Sequence, residues 1–257
     1  QAKVLNKYIC TKYPDKKIKI YSSETDDYVK QKDLSDVNTN WVKYDVIIYT
    51  PCITAGISFE IEDHFDYLFG YFTNQSCDIY SLYQMLFRVR NLKQHQVYIL
   101  FDVLFTNNEI VINKNDIMEE IKYSYRYLYH DTFDFKINYH NNQTINIINE
   151  KDTFFNLWLD NKIIKNKSHY YILYEFIELL KYNSCEYELV FKHDTKNADN
   201  VININQINDG ILIDENTKIF NAGDITPETY LTLNSAVFLS ENEKIMKKKH
   251  FLKTLFN

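Results

Sequence analysis

Glycine is scarce in this chain of 257 residues, which has four: Gly56, Gly70, Gly210 and Gly223. A phosphate-cradling Gly-x-x-x-x-Gly-Lys-[Ser/Thr] loop needs two glycines at a fixed spacing and a lysine directly after the second. No two glycines have that spacing, and none precedes a lysine. An Asp-Glu-x-His strand end, which would hold magnesium, is also missing. The chain alone is therefore not expected to hydrolyse ATP.

Cysteine is equally sparse, and no metal is expected. Cys10, Cys52, Cys77 and Cys185 lie at no metal-site spacing, either among themselves or with histidines. Scattered thiols are typical of a reducing, intracellular compartment. No apolar run approaches the length of about 18 residues that spans a membrane, so no contact with a membrane is expected.

Positive charge is not in excess either, because the formal net charge is -6. A basic field over the whole chain, which would capture nucleic acid without specificity, is therefore excluded. Any contact with nucleic acid has to be local. The 45% of apolar residues is ordinary for a folded protein, so a packed core is expected.

The first hundred residues alternate between strand and helix patterns. The predicted strands are 17–21, 45–49, 65–72 and 96–102, and the predicted helices are 1–13 and one that begins after Asp78. Short apolar runs such as 45–49 are typical of parallel strands covered on both faces. Their alternation with helices predicts an α/β fold with a parallel sheet.

After about residue 105 the pattern becomes mostly helical. Helices are predicted at 116–128, 152–164 and 168–182, a strand at 186–192, and loops at 138–149 and 197–216. Thr226 and Pro227 form a helix start, and Ser240 to Glu243 have the form of a capping box ahead of a last helix. A basic turn follows at 244–250, which is typical of a solvated helix face, with a phosphate contact as the alternative.

The segment after the strand at 45–49 carries hydroxyls and a glycine: Thr50, Thr54, Gly56 and Ser58. Ligands of open α/β sheets bind at the carboxyl ends of strands. A loop that holds a sugar-phosphate backbone needs small hydroxyl donors, and a glycine where the backbone comes close. The alternative is an ordinary connection between a strand and a helix.

A glutamine and two arginines stand at the end of the helix that begins after Asp78. Gln84 and Arg88 are four residues apart, which places them on one helical face, and Arg90 follows. A guanidinium near a γ-phosphate stabilises the charge that develops during phosphoryl transfer. The alternative is that the arginines simply lie at a helix C-terminus, where positive charges interact favourably with the helix dipole.

Together the two segments resemble the fifth and sixth motifs of superfamily 2 helicases. The runs 54–59 (Thr-Ala-Gly-Ile-Ser-Phe) and 88–92 (Arg-Val-Arg-Asn-Leu) are specifically similar to the herpesvirus type of replication origin-binding protein, found also in large DNA viruses. The resemblance covers residues 1 to about 105. It implies that 1–105 is a second RecA-like helicase domain, incomplete at its N-terminus, and that 106–257 is a mostly helical extension.

The resemblance also implies a function, ATP-driven translocation or unwinding of DNA in viral replication initiation. Thr50, Thr54, Gly56 and Ser58 would hold the DNA strand. Gln84 and Arg88 would sense ATP, and Arg90 would support them. The ATP phosphates and Mg²⁺ would be bound mostly by a missing upstream RecA-like domain. The implied partners are single-stranded or origin DNA, that upstream domain and other replication proteins.

The sequence departs from the general sixth motif, Gln-x-x-Gly-Arg-x-x-Arg. Phe87 stands at the glycine, and the second arginine is Arg90, one position early, with Asn91 at the usual place. We expect Arg88 to face the phosphate, because its register with Gln84 is kept. The departures and the acidic charge support a second hypothesis, a catalytically silent RecA-like module used as a binding scaffold.

Overall fold

The computed structural model of the chain describes residues 1–53, 56–75, 77–103, 110–124, 135–140, 143–148, 153–190 and 198–256. Its helices are α1 Ala2–Lys12, α2 Asp27–Leu34, α3 Val37–Trp41, α4 Ile79–Leu86, α5 Lys114–Ser124, α6 Thr153–Tyr170, α7 Ile172–Tyr182, α8 Ala198–Asn221, α9 Pro227–Ser235 and α10 Glu241–Phe256. Its strands are β1 Ile18–Tyr21, β2 Val46–Tyr49, β3 Leu68–Thr73, β4 Val97–Asp102, β5 Phe135–His140 and β6 Gln143–Ile148.

The strands form separate two-stranded sheets, β1–β2, β3–β4 and β5–β6, within the described residues. β1 and β2 are parallel, with Ile18 opposite Val46 and Tyr21 opposite Tyr49. A parallel pair needs a crossover, which here contains α2 and α3. The predicted mixture of helices with parallel strands is therefore present. The described strands pair two by two, and the RecA-like sheet stays a prediction. β3 is alternately buried and exposed, the pattern of a strand covered on one face only.

The chain divides into two compact units. The first contains residues 1–68, 84–98 and 189–257, and the second contains 69–83 and 99–188. The sequence-based boundary at about residue 105, between a RecA-like domain and an extension, stays a prediction.

A largely aromatic cluster lies in the core of the first unit. Its buried residues are Tyr21, Val37, Trp41, Ile53 and Phe59. The Trp41 ring is stacked on those of Tyr49 and Phe59, with centroids 6.0 and 5.9 Å apart. Burial of each large side chain stabilises the fold by about 1.5–3 kcal/mol. The carboxyl ends of β1 and β2 are therefore anchored on a packed base.

Helix α8 also belongs to the first unit, where it packs against α1 and α10. The loop predicted at 197–216 is therefore wrong. The less exposed positions Ile207, Ile211, Glu215 and Ile219 recur every four residues and form one packed face. Packing of that face outweighs the poor helix propensity of the asparagines.

The predicted helix starts near the C-terminus are confirmed. The Thr226 side chain accepts a hydrogen bond from Thr229 N at 3.2 Å at the start of α9. At the start of α10, Ser240 N donates to Glu243 Oε2 at 2.8 Å, and Glu243 N donates to Ser240 Oγ at 3.3 Å. These reciprocal bonds satisfy backbone donors that a helix end leaves open.

The second unit contains a hairpin and a helical pair. β5 and β6 are antiparallel, with Phe135 opposite Ile148. The loop predicted at 138–149 is therefore wrong at 138–140 and 143–148, and the rest of it lies outside the described residues. The helix predicted at 168–182 begins later, because α6 runs to Tyr170 and α7 begins at Ile172. No strand forms at 186–190, and the rest of that predicted strand lies outside the described residues, as does the end of the helix predicted at 116–128.

Aromatic packing holds this unit together. The Phe176 ring on α7 lies 6.1 Å from that of Phe72, 5.1 Å from that of Phe101 and 6.2 Å from that of Tyr83. Of the helices that the structure describes, none is both long and apolar enough to cross a membrane.

Candidate functional site

The hydroxyl-bearing loop begins at the carboxyl edge of the parallel pair. Thr50 N donates to Tyr21 O at 3.0 Å, which extends the pairing of β1 and β2 by one residue. Ile53 N then donates to Thr50 O at 3.2 Å, and the Ile53 side chain is buried in the aromatic core. Thr50 is therefore fixed where a sheet of this kind binds ligands, although its side chain is partly buried.

Gly56 follows in a conformation that favours glycine, with φ +76°. Thr54, a predicted strand contact, lies outside the described residues. Gly56 is exposed, and a Cβ added there would meet no atom within 4 Å. The main chain at Gly56 is thus open to close approach by a ligand.

The loop and the arginine segment meet through their main chains. Phe59 and Val89 form a parallel bridge. Phe59 N donates to Arg88 O at 2.7 Å, and Arg90 N donates to Phe59 O at 2.9 Å. The Phe59 side chain is fully buried, and Val89 packs against the same core. The two segments singled out in the sequence are therefore joined at one place.

Two residues that the sequence analysis left without a role strengthen this junction. Asn91 Nδ2 donates to Glu60 O at 2.8 Å, and Tyr49 Oη donates to Met85 O at 2.8 Å. Tyr49 is the last residue of the predicted strand, and Asn91 holds the usual place of the second arginine. Both positions were visible in the sequence, but their hydrogen bonds depend on the tertiary fold.

Arg88 is buried, with 8% of its surface exposed. Its Nη1 donates to Ile57 O at 3.1 Å, so the buried guanidinium stabilises the loop through a main-chain carbonyl. Burial raises the pKa of Tyr49 to about 12, and the charge of Arg88 partly opposes that shift. A buried cation has to be hydrogen-bonded, and here the loop carbonyl is one acceptor.

Arg90 is exposed and faces the same loop. Its Nε donates to Ser58 Oγ at 3.2 Å. Among the residues that the structure describes, no carboxylate forms an ion pair with Arg90.

The end of α4 changes the expected register of Gln84 and Arg88. The helix ends at Leu86, and Phe87 N donates to Gln84 O at 3.2 Å in a tighter turn. Arg88 therefore lies beyond the helix and does not share a helical face with the exposed Gln84. Phe87, at the position of the motif glycine, is 39% exposed.

The chemistry that this site offers is the binding of oxyanions. It presents an open main chain at Gly56, the Ser58 hydroxyl and the Arg90 guanidinium, all suited to phosphate oxygens. The Gln84 side chain is exposed near the end of α4. In the described ranges no group of three or more His, Cys, Asp or Glu side chains is placed to hold a metal ion.

Comparison with known proteins gives a family match over part of the chain. Residues 5–118 match a family model described as "Origin of replication binding protein". That segment contains the loop and the arginine segment. No solved structure matches the chain.

Several viral proteins are similar to this chain. A "Putative helicase/primase complex protein" of African swine fever virus (isolate Warthog/Namibia/Wart80/1980) is 43% identical over 93 residues, which is 36% of this chain and 9% of that protein. The "Replication origin-binding protein" of human herpesvirus 2 (strain HG52) is 42% identical over 66 residues, 25% of this chain and 8% of that protein.

A longer similarity is weaker in identity. The "Uncharacterized putative helicase R8" of Acanthamoeba polyphaga mimivirus is 26% identical over 254 residues, which is 91% of this chain and 24% of that protein. The chain thus spans at most about a quarter of the length of these three relatives. Over residues 5–118 it is similar to viral origin-binding proteins, with proteins named as helicases among its relatives.

Proposed function

We propose that this chain acts in viral DNA replication, as the second RecA-like part of an ATP-dependent DNA helicase or translocase. The names of the matched family and of the viral relatives support this role. ATP and Mg²⁺ would be bound mostly by a P-loop domain elsewhere in a longer polypeptide, because this chain has no glycine-rich phosphate loop. The partners of the chain would be DNA and other replication proteins inside the infected cell.

The observation that carries the proposal is the junction of the two segments. The bridge between Phe59 and Val89 places the loop against the arginines. A motor needs such a link, because the group that senses the nucleotide has to respond to the strand that the loop holds. Thr50, Thr54, Gly56 and Ser58 form the proposed strand side.

Gln84, Arg88 and Arg90 form the proposed nucleotide side, with unequal roles. Arg90 and Gln84 are exposed, whereas Arg88 is 8% exposed and bonded to the Ile57 carbonyl. We therefore assign the phosphate contact to Arg90, and a supporting role behind the loop to Arg88. This assignment reverses the preference for Arg88 that helical register alone gave.

The test is DNA-stimulated ATP hydrolysis by a polypeptide that joins this chain to its P-loop domain. Arg90→Ala should lower the stimulated rate by about 10³ while ATP binding is kept, because a missing arginine finger affects the transition state. Lys93→Ala, which removes an exposed positive charge three residues away, should leave the rate unchanged. Unchanged turnover in Arg90→Ala would remove Arg90 from the mechanism.

A binding scaffold is the second candidate. It is favoured by the exposed Phe87, which stands where a motor of this family has glycine. In that case DNA would not stimulate ATP hydrolysis by the longer polypeptide, which would still bind DNA or a replication protein.

A further inference from the structure

Ser58 and Arg90 contact each other directly, although the proposal above assigns one to the strand and the other to the nucleotide. Arg90 Nε donates to Ser58 Oγ at 3.2 Å. A hydroxyl that accepts a hydrogen bond keeps its own proton for another acceptor. A guanidinium engaged through Nε keeps the N–H groups of both Nη atoms. Two unlike donors to an oxyanion therefore lie side by side.

The two side chains are held on a rigid base. Phe59, next to Ser58, exchanges main-chain hydrogen bonds of 2.7 and 2.9 Å with Arg88 and Arg90. The Phe59 ring is fully buried against Trp41. Little conformational freedom of the main chain remains to be lost when a ligand binds, which favours affinity.

The charge and the space at this place also suit an anion. In the part of the chain that the structure describes, Arg90 is exposed and forms no ion pair. Gly56, two residues before Ser58, borders open space. A charged guanidinium with planar paired donors is suited to the oxygens of a phosphate group.

We propose that Ser58 and Arg90 hold one phosphate group between them and act as a single binding pair. This inference rests on the proposed function and deepens it, since the strand side and the nucleotide side would then share a ligand group. The phosphate belongs either to the DNA backbone or to a nucleotide, and the two sources can be separated by experiment.

The test is a double-mutant cycle on the 257-residue chain, with Ser58→Ala, Arg90→Ala and both together. The probes are a fluorescein-labelled oligothymidylate and a fluorescent ATP analogue, titrated at several salt concentrations by fluorescence anisotropy. One of the two probes supplies the phosphate that the pair binds. For that probe, Arg90→Ala should weaken binding about tenfold and flatten the salt dependence by about one phosphate contact. Ser58→Ala should weaken it less, and the double variant no more than Arg90→Ala.

Matched variants guard against trivial explanations. Ser58→Thr keeps a hydroxyl and should bind like the wild type, and Lys93→Ala removes an equal charge nearby and should change little. Each variant should unfold at the wild-type temperature. Three results would overturn the pair. The losses of the single variants could multiply in the double variant, or Arg90→Ala could bind like Lys93→Ala. The third result is a wild-type chain that binds neither probe.

The outcome separates this pair from the proposed function. A longer polypeptide without DNA-stimulated ATP hydrolysis would contradict the helicase proposal, while a non-additive cycle in the same protein would still support the shared phosphate. Conversely, a stimulated ATPase with strictly additive effects of Ser58 and Arg90 would keep the motor and remove the pair.

Discussion

Two cations of the first unit, Arg90 and Lys244, differ in where their charge is used. Lys244 Nζ donates to Ser23 O, Thr25 O and Asp27 Oδ1 at 2.9, 2.7 and 2.7 Å, so its three donors all have partners inside the fold. Among the described residues, the one hydrogen-bond acceptor of the exposed Arg90 side chain is Ser58 Oγ. The partners of a cation, more than its place in a basic run, decide whether it can serve a ligand.

The surroundings of Lys244 form a clamp, defined here as Asp27, Lys30, Leu239 and Lys244. Asp27 N donates to Leu239 O at 3.1 Å, Leu239 N donates to Asp27 Oδ2 at 3.0 Å, and Lys30 pairs with Asp27 at 2.6 Å. The clamp ties the start of α2 to the residues before α10. Lys249 is likewise bound to carbonyls at the end of α8. The basic turn is therefore partly internal, and less solvated than the sequence predicts.

The largest expected effect comes from breaking the clamp. Lys244→Met should lower the free energy of unfolding by about 2–3 kcal/mol, because two carbonyls lose their Lys244 donor and the Asp27 carboxylate loses one of its two charged partners in a partly buried place. Chemical denaturation measures the change. Lys248→Met, on an exposed position of the same helix, should cost less than about 0.5 kcal/mol. Equal effects of the two variants would contradict the clamp.

The clamp should also make stability depend on acid. Burial alone would raise the pKa of Asp27, but hydrogen bonds from Lys244, Lys30 and Leu239 N lower it from 3.8 to about 2. A carboxyl with a depressed folded pKa stabilises the protein above its unfolded pKa, and the benefit is lost as the pH falls from 3.8 towards 2. With allowance for solvent screening, we expect about 1–2 kcal/mol.

This acid dependence can be measured against a neutral isostere. The difference in unfolding free energy between wild type and Asp27→Asn should be constant from pH 7 to about pH 5 and should shrink below pH 4. A difference that stays constant down to pH 2 would show that Asp27 does not contribute through its charge.

Local signals explain which elements were predictable. The capping box at Ser240 and Glu243 and the Thr226 cap are fixed by residues three apart, so the sequence was sufficient. Helix α8 and the β5–β6 hairpin were missed because asparagine-rich segments have weak local preferences. Their structure depends on a packed face or a pairing partner that local patterns do not reveal.

The site shows the same division between local and tertiary information. The order of strands and helices was enough to place the loop near the arginines, because ligand loops gather at strand ends. The different burial of Arg88 and Arg90 was not predictable. It depends on α4 ending at Leu86 and on the bridge of Phe59 with Val89, and neither leaves a periodic signal.

A smaller effect should separate the two arginines. Arg88→Met should destabilise the chain by about 1–2 kcal/mol, since the Ile57 carbonyl loses its charged donor. Arg90→Met should stay within about 0.5 kcal/mol, because Arg90 is exposed. Urea denaturation of both variants decides the matter. Equal losses would mean that Arg90 is also a structural residue and weaken its assignment to phosphate.

The smallest expected effect concerns Tyr49, whose hydroxyl donates to Met85 O ahead of the arginine segment. Tyr49→Phe should cost about 1 kcal/mol, the usual value of a neutral hydrogen bond. Because burial raises the pKa of Tyr49 to about 12, the donor stays protonated and the cost should be the same from pH 6 to 9.

Alkaline conditions sharpen this last comparison. A phenol with a raised folded pKa stabilises the protein below its unfolded pKa of 10, and that benefit is lost as the pH rises from 10 towards 12. The wild type should therefore lose its advantage over Tyr49→Phe in this range, as measured by denaturation at fixed pH. A lower affinity of Tyr49→Phe for DNA would show that the Tyr49 hydrogen bond helps to position Ser58 and Arg90. An unchanged affinity would show that the bridge between the loop and the arginine segment positions them without it.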